Sequence, residues 1–259
     1  MNFAVVYSSH DIAGNNIADQ LRKLDSKINI YEFKEKEHII FLNNLDKNIK
    51  EDFIIFASKH KAKEHNKTLT VHSIGNFGKA EVGGIPGEIC KSSAFVNKLL
   101  FQELIKEVKG SSYICTLEAT HHGPYIEKPS CFIELGSSEE EWNDELGGNI
   151  IARTIINFIK PFKNLKDNFI PAVGIGGPHY CPSFNKIQLN SKYAISHVLP
   201  QYHMPFTEQM IKELISKTIE KPEVVILDWK GIGKAEDRKH LLDILDKLNL
   251  KYIRTNEVE

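Results

Sequence analysis

Phe3-Ala4-Val5-Val6-Tyr7 is an apolar run, Ser8-Ser9-His10-Asp11 is a polar turn, and Ile12 to Leu24 (IAGNNIADQLRKL) carries helical spacing. A short apolar run bounded by a turn reads as a buried strand. Asp11 stands where an N-cap carboxylate accepts from the first free N–H groups of a helix. Strand, polar turn and helix in that order open an α/β unit.

Working outward, the same alternation continues. Strands are predicted over Lys27 to Phe33, Asp52 to Ala57, Leu69 to Ile74, Tyr113 to Ala119 and Ser130 to Leu135. Further strands are predicted over Phe169 to Ile175, Ala194 to Leu199, Val224 to Asp228 and Lys251 to Arg254. Helical spacing covers Ser92 to Val108, Glu139 to Phe158, Thr207 to Thr218 and Ala235 to Leu248. The expected fold is α/β, a mixed sheet flanked by helices, with residues 1–259 as one domain. Gly147-Gly148 fall inside the second of these later helices. Each costs about 1 kcal/mol relative to alanine there, so close packing is expected at that point.

Composition narrows the class. Hydrophobic residues make up 41% and charged residues 26%, as in ordinary globular chains. A chain of 259 residues buries a large core without staples. Cys90, Cys115, Cys131 and Cys181 form no CxxC pair, and no signal-peptide pattern precedes them. A reducing cytoplasm is therefore expected, without a disulfide framework. No run of about 18 apolar residues is present, so no membrane span is expected.

The formal net charge is −1, without the basic excess common in nucleic-acid binders. Any RNA contact must then use a local patch. Lys59-His60-Lys61-Ala62-Lys63, with Lys67 near, is the candidate; by composition alone it reads equally as a solvated segment.

Histidines carry the chemical signal. His72, His121, His122, His179, His197 and His203 fall at strand ends or beside glycine and proline. Glu118 to Pro124 (EATHHGP) puts a carboxylate and two imidazoles at the end of an apolar strand. Imidazole and carboxylate together suit Zn²⁺, which in catalytic sites keeps one position for water. Glu134, in a neighbouring strand, is placed to take a proton or orient a ligand. Adjacent histidines on a strand point to opposite faces, so His121 and His122 converge only if they lie in a turn. The spacing matches no fixed zinc signature, and the residues alone leave open a metal or an acid–base hydrolase. Gly174-Ile175-Gly176-Gly177-Pro178 reads as a tight turn or as a donor of backbone N–H groups to an anion. Cys181 beside it reads as a buried, inert thiol more readily than as a ligand.

In chain order, SSHDIAGNNI (Ser8 to Ile17), HSIGNF (His72 to Phe77), LEATHHGP (Leu117 to Pro124), FIELGSSEEEW (Phe132 to Trp142), GIGGPHYCP (Gly174 to Pro182) and SHVLPQYH (Ser196 to His203) resemble the zinc-dependent D-aminoacyl-tRNA deacylases of archaea and plants. The resemblance spans nearly the whole chain. It implies hydrolysis of the ester joining a D-amino acid to the tRNA 3′ end, with broad side-chain tolerance. It implies two zinc ions per chain and a phosphorylase/hydrolase-like fold related to peptidyl-tRNA hydrolase. It points to tRNA as partner; no membrane and no DNA partner is expected, and a monomer is expected with a dimer left open.

Placing that chemistry on the motifs makes His121, His122, His179, His197 and His203 the expected metal ligands. Glu118, Glu134 and His122 are the expected catalytic groups. His72, Gly176, Gly177, Lys59, Lys61 and Lys63 are expected to contact substrate. Two other classes stay open: a zinc amidohydrolase or peptidase acting on a small molecule, and a non-catalytic tRNA-binding module. The phosphorylase-like kinship adds a nucleoside phosphorylase.

Overall fold

The computed structural model describes residues 1–160, 162 and 169–258. In chain order the elements are β1 (Phe3–Ser8), α1 (Ile12–Leu24), β2 (Asn29–Phe33), β3 (Phe53–Lys61), β4 (Thr68–His72), α2 (Ala94–Glu107), β5 (Ile114–Leu117) and β6 (Ser130–Ser137). They continue with α3 (Glu139–Trp142), α4 (Glu145–Ile159), β7 (Ile170–Ile175), α5 (Pro182–Asn190), β8 (Tyr193–Leu199), α6 (Glu208–Ser216), β9 (Val224–Leu227), α7 (Ala235–Lys247) and β10 (Tyr252–Arg254).

The α/β expectation holds, in two sheets. The first has six strands in the order β2-β1-β3-β6-β4-β5; the second has four in the order β10-β9-β7-β8. The first is mixed because β4 runs antiparallel to β6 while its other pairings are parallel. The second is parallel throughout. Asp11 caps α1 by accepting from Gly14 N–H, and Ser93 caps α2 by accepting from Val96 N–H.

Two expectations needed correction. The helix expected over Glu139 to Phe158 is two helices, because Asp144 leaves the helical path and caps α4 by accepting from Leu146 N–H. Gly147 and Gly148 thus lie in a first turn, not mid-helix. A Cβ at Gly148 would stand 2.2 Å from Asn16 Oδ1 on α1, which is the close packing that excludes a side chain. The second is α5, which forms where the reading had no element, with Pro182 in its first turn.

The main core lies on the helix-covered face of the six-stranded sheet, where Val5, Tyr7, Ile55, Ala57, Val71, Ile133 and Leu135 meet α1, α2 and α4. The opposite face carries a smaller core of Ala4, Val6, Ile54, Phe56 and Phe132. Side chains alternate across strands, so the register decides who joins that second face. Ser58 and Thr70 pair with Glu134, and Phe56 and His72 pair with Phe132. His60, two residues beyond Ser58, therefore shares a face with Glu134 and His72. Its register partner is Gly136, where a Cβ would stand 2.7 Å from His60 Cβ. Among the described residues no helix is long and apolar enough to cross a membrane.

Candidate metal centre

The smaller apolar face ends in polar residues. Glu134 comes from β6, His60 from β3, His72 from β4, and Glu118 follows directly on β5. His121 and His122 lie in the turn after Glu118. His122 adopts a left-handed φ of 43°, a conformation that costs a non-glycine residue about 1–2 kcal/mol. That turn solves the geometric problem of two adjacent histidines. Their rings sit 4.3 Å apart by centroid, and both reach the His72 ring, at 4.2 and 4.9 Å.

The two carboxylates bind the group together. His60 Nδ1 is 3.2 Å from Glu118 Oε1 and 3.7 Å from Glu134 Oε2. His179 Nε2 is 3.2 Å from Glu118 Oε1, and His122 Nε2 is 3.9 Å from Glu134 Oε1. His72 Nε2 stands 3.8 Å from Glu118 Oε2 and 3.7 Å from Glu134 Oε1. Backbone bonds lock the ring nitrogens that face away: His121 Nδ1 meets Ala119 O at 2.9 Å and His122 Nδ1 meets Gly123 O. Such bonds set the tautomer and leave Nε2 free as a ligand atom.

The charges are strongly perturbed. Burial pushes the Glu118 carboxyl up, but the His179 hydrogen bond and the fields of His121, His72 and His60 overcome it and hold it well below the usual range. Glu134 is held low in the same way against burial, by His60 and His72. Burial and the neighbouring His72 pull His121 far down and His122 to about 4. For His60 and His72 the carboxylates outweigh burial, and their values rise. At His121 and His122, neutral imidazoles beside ionised carboxylates are the protonation states that bind a metal.

The donor set fits zinc by a specific test. His72 Nε2 and Glu118 Oε2 are buried, face one another, and have no hydrogen-bond partner among the described residues. Buried polar atoms are rarely left unpaired, so each needs an explanation. Two ligands on one tetrahedral zinc, each about 2.1 Å from it, lie roughly 3.4 Å apart. Among the described residues, three triads have ligand atoms within 4.8 Å of one another: His72 with His121 and His122, Glu118 with His121 and His179, and His60 with Glu118 and Glu134.

A cavity of about 640 Å³ opens over this cluster. Its rim includes Lys59, Lys61, Phe41, Val82 and Tyr180. The structure thus gathers Glu118, Glu134, His72, His121, His122 and His179, and sets Lys59 and Lys61 beside them. His72 lies inside the cluster, not at a substrate surface. Lys63 is exposed and outside the cavity lining.

Other expected residues stand apart. His197 is buried on β8, with Nδ1 3.1 Å from Thr120 Oγ1, so it braces the His121 turn from behind. His203 packs on Phe77; its neighbour Tyr202 is the one that reaches the cluster, with Oη 3.3 Å from His179 Nδ1. Gly176 and Gly177 pack against Asp228 and Ile232 at the edge of the second sheet. Cys181 is buried, its Sγ donating to His179 O at 3.3 Å. Burial raises that thiol well above its ordinary value. Sequence reasoning missed His60, which it placed in a basic patch. The strand period through Ser58 and His60, opposite Lys59 and Lys61, is the signal that would have found it.

Comparison with known proteins shows the family. The family model described as D-aminoacyl-tRNA deacylase matches residues 47–253. The D-aminoacyl-tRNA deacylase of Pyrococcus furiosus is 35% identical over 260 residues, covering 98% of this chain and 92% of that protein. That of Methanocaldococcus jannaschii is 30% identical over 264 residues, covering 98% of this chain and 100% of its own. A crystal structure of a conserved protein of unknown function superposes with a TM-score of 0.89 at 29% identity, over 99% of this chain and 96% of that one. This chain belongs to the D-aminoacyl-tRNA deacylase family.

Proposed function

We propose that this protein hydrolyses the ester between a D-amino acid and the 3′ end of tRNA, using zinc held in the Glu118–Glu134 cluster. One observation carries the reading: two buried carboxylates ringed by five imidazoles, with unpaired ligand atoms, at the floor of a cavity rimmed by lysines. The names of the relatives supply the substrate class.

Glu118, His72, His121, His122 and His179 are the residues that would hold zinc, in one or two ions. The Glu118 side chain is 0% exposed and its Oε2 is unpaired, which suits a ligand. Glu134 is 5% exposed toward the cavity and takes the proton from water as general base. When bound, zinc supplies Lewis acidity that lowers the pKa of water to about 7. His60, between the two carboxylates, holds Glu134 in its ionised form. Lys59 and Lys61 attract the terminal phosphates of tRNA, and Phe41, Val82 and Tyr180 give the amino-acid side chain an apolar wall.

The test offers purified protein D- and L-tyrosyl-tRNA side by side, with D-tyrosine ethyl ester as a third substrate and zinc measured on the same sample. Rapid release from D-tyrosyl-tRNA alone, lost with a chelator and restored by zinc, is expected. Equal turnover of the free ester would move the reading to a small-molecule hydrolase. Binding of tRNA without zinc and without ester cleavage would leave an RNA-binding module.

A further inference from the structure

The second sheet has a crevice of its own. Its strand order, β8-β7-β9-β10, sends the chain from β7 to one side and then back past β7 to the other. In open parallel sheets, ligands bind beyond the carboxyl ends of the strands at such a reversal. A cavity of about 540 Å³ lies between α5 and the exits of β9 and β10, next to that reversal. Its wall comes from the residues just after β9 (Asp228, Trp229, Lys230), from the end of β10 (Arg254, Thr255) and from the face of α5 that carries Ser183 and Lys186.

The charges in that wall are unbalanced. Lys186, Lys230 and Arg254 are exposed, and among the described residues none of their side chains forms an ion pair, while the Glu257 carboxylate accepts from the Arg254 backbone N–H at 2.8 Å. The acid in the wall, Asp228, is 7% exposed and turned onto Gly231 N–H. Arg254 lies 4.0 Å from the Trp229 ring centroid, which fixes the guanidinium without neutralising it. Among the described residues, three cations without side-chain ion pairs stand around one concavity and focus a positive field on a chain whose net charge is −1.

The same short stretch serves both cavities. His179 and Tyr180 line the metal-centre cavity, and Ser183 and Lys186, one turn further on, line this one. We infer that the crevice at the carboxyl edge of the second sheet, walled by Lys186, Lys230 and Arg254, holds the sugar-phosphate backbone of the tRNA acceptor strand while its 3′ end lies in the metal-centre cavity. This rests on the deacylase reading. It adds a second RNA contact to the Lys59–Lys61 rim. A polyanion touching both places is held in register by phosphate contacts that carry no sequence information, as a broad-specificity hydrolase requires.

The test compares full-length protein with K186E/K230E/R254E, with the neutral K186Q/K230Q/R254Q, and with a charge-matched control, K23E/K27E/K34E, on the far edge of the first sheet. Binding of uncharged tRNA is read by fluorescence anisotropy across a salt series, and hydrolysis is read on D-tyrosyl-tRNA and on the minimal ester D-tyrosyl-adenosine. The expected result is at least tenfold weaker tRNA binding, with the salt slope shallower by about 2 to 3, since each lost phosphate contact contributes roughly 0.7–0.9. KM for D-tyrosyl-tRNA should rise by the same factor, with kcat and D-tyrosyl-adenosine hydrolysis unchanged. Wild-type tRNA affinity and slope in both crevice variants overturn the inference. So does an equal loss in the control, or a matching loss on D-tyrosyl-adenosine. If the wild type cleaves neither ester, the deacylase reading fails, and the binding series still decides whether the crevice holds RNA.

Discussion

Lys98 on α2 and Glu118 after β5 are both charged groups shut away from solvent, yet their surroundings differ in kind. The Lys98 ammonium donates to three backbone carbonyls, Gln188 O at 2.6 Å, Ser191 O at 2.8 Å and Tyr193 O at 3.0 Å. All three of its donors are used, and those carbonyls are the loose ends of α5 and the start of β8. Glu118 is met by His60 and His179 on one oxygen, while the other faces His72 Nε2 at 3.8 Å without a hydrogen bond among the described residues. A satisfied buried charge ties elements together; an unsatisfied one, kept among imidazoles, costs stability and has value only if something else is to be bound. The comparison separates a structural charge from a functional one where burial alone does not.

The widest gap between the two sites should appear in catalysis. Glu118→Gln is expected to lower deacylation by about 10³-fold or more, the range for loss of a group acting on the reacting centre, while its thermal melt stays at or above wild type. Activity within tenfold of wild type would place Glu118 with Lys98 as a structural charge.

Lys98→Met should show the reverse: near-normal kcat, with a stability loss of about 2–3 kcal/mol as Ser191 O and Tyr193 O lose the ammonium and Gln188 O keeps only Gln102 Nε2, read by urea titration. The pH dependence sharpens this. Burial pulls the Lys98 ammonium down to about 8 from 10.5, so between those values the unfolded chain holds the extra proton. Stability relative to Lys98→Met should then rise as pH climbs from about 8 to 10.5 and be level below 8. A fall across that window would reverse the assigned sign.

A smaller effect is expected behind the metal centre. His197→Phe removes the bond to Thr120 that steadies the His121 turn, and zinc affinity should drop by about tenfold, the lower end for an outer-shell partner. Competition with a coloured chelator measures it. Loss of one full equivalent of zinc would instead make His197 a ligand. The smallest change is expected at His203, which packs on Phe77 away from the cluster: His203→Gln should leave zinc content unchanged and KM within about twofold. A larger shift would return it to the site.

Much of the site was legible because its chemistry is local. Glu118 and His121-His122 stand in one heptapeptide, and glycine and proline around His179 mark a strand exit. Residues recruited by register were harder to read. His60 sits among lysines and looks like part of a basic patch; only its pairing opposite Gly136 turns it toward Glu134. His197 and His203 carry the same kind of flanking residues as the true cluster members, so flanking composition does not sort ligand from brace. Tyr202 reaches His179 only through the short turn that follows β8.

By itself, the sequence determined the α/β alternation, the capping of α1 by Asp11, the motifs of the family and the two carboxylates that the structure brings among the histidines, because periodicity, caps and motif chemistry act over a few residues. The tertiary structure decided the split into a mixed and a parallel sheet, the break before α4, and which histidines meet. Those depend on strand register and on contacts such as Asn16 against Gly148 or Val198 against Thr120, made between residues far apart in the chain. A one-residue shift in pairing would send His60 to the opposite face, and no local pattern encodes that choice.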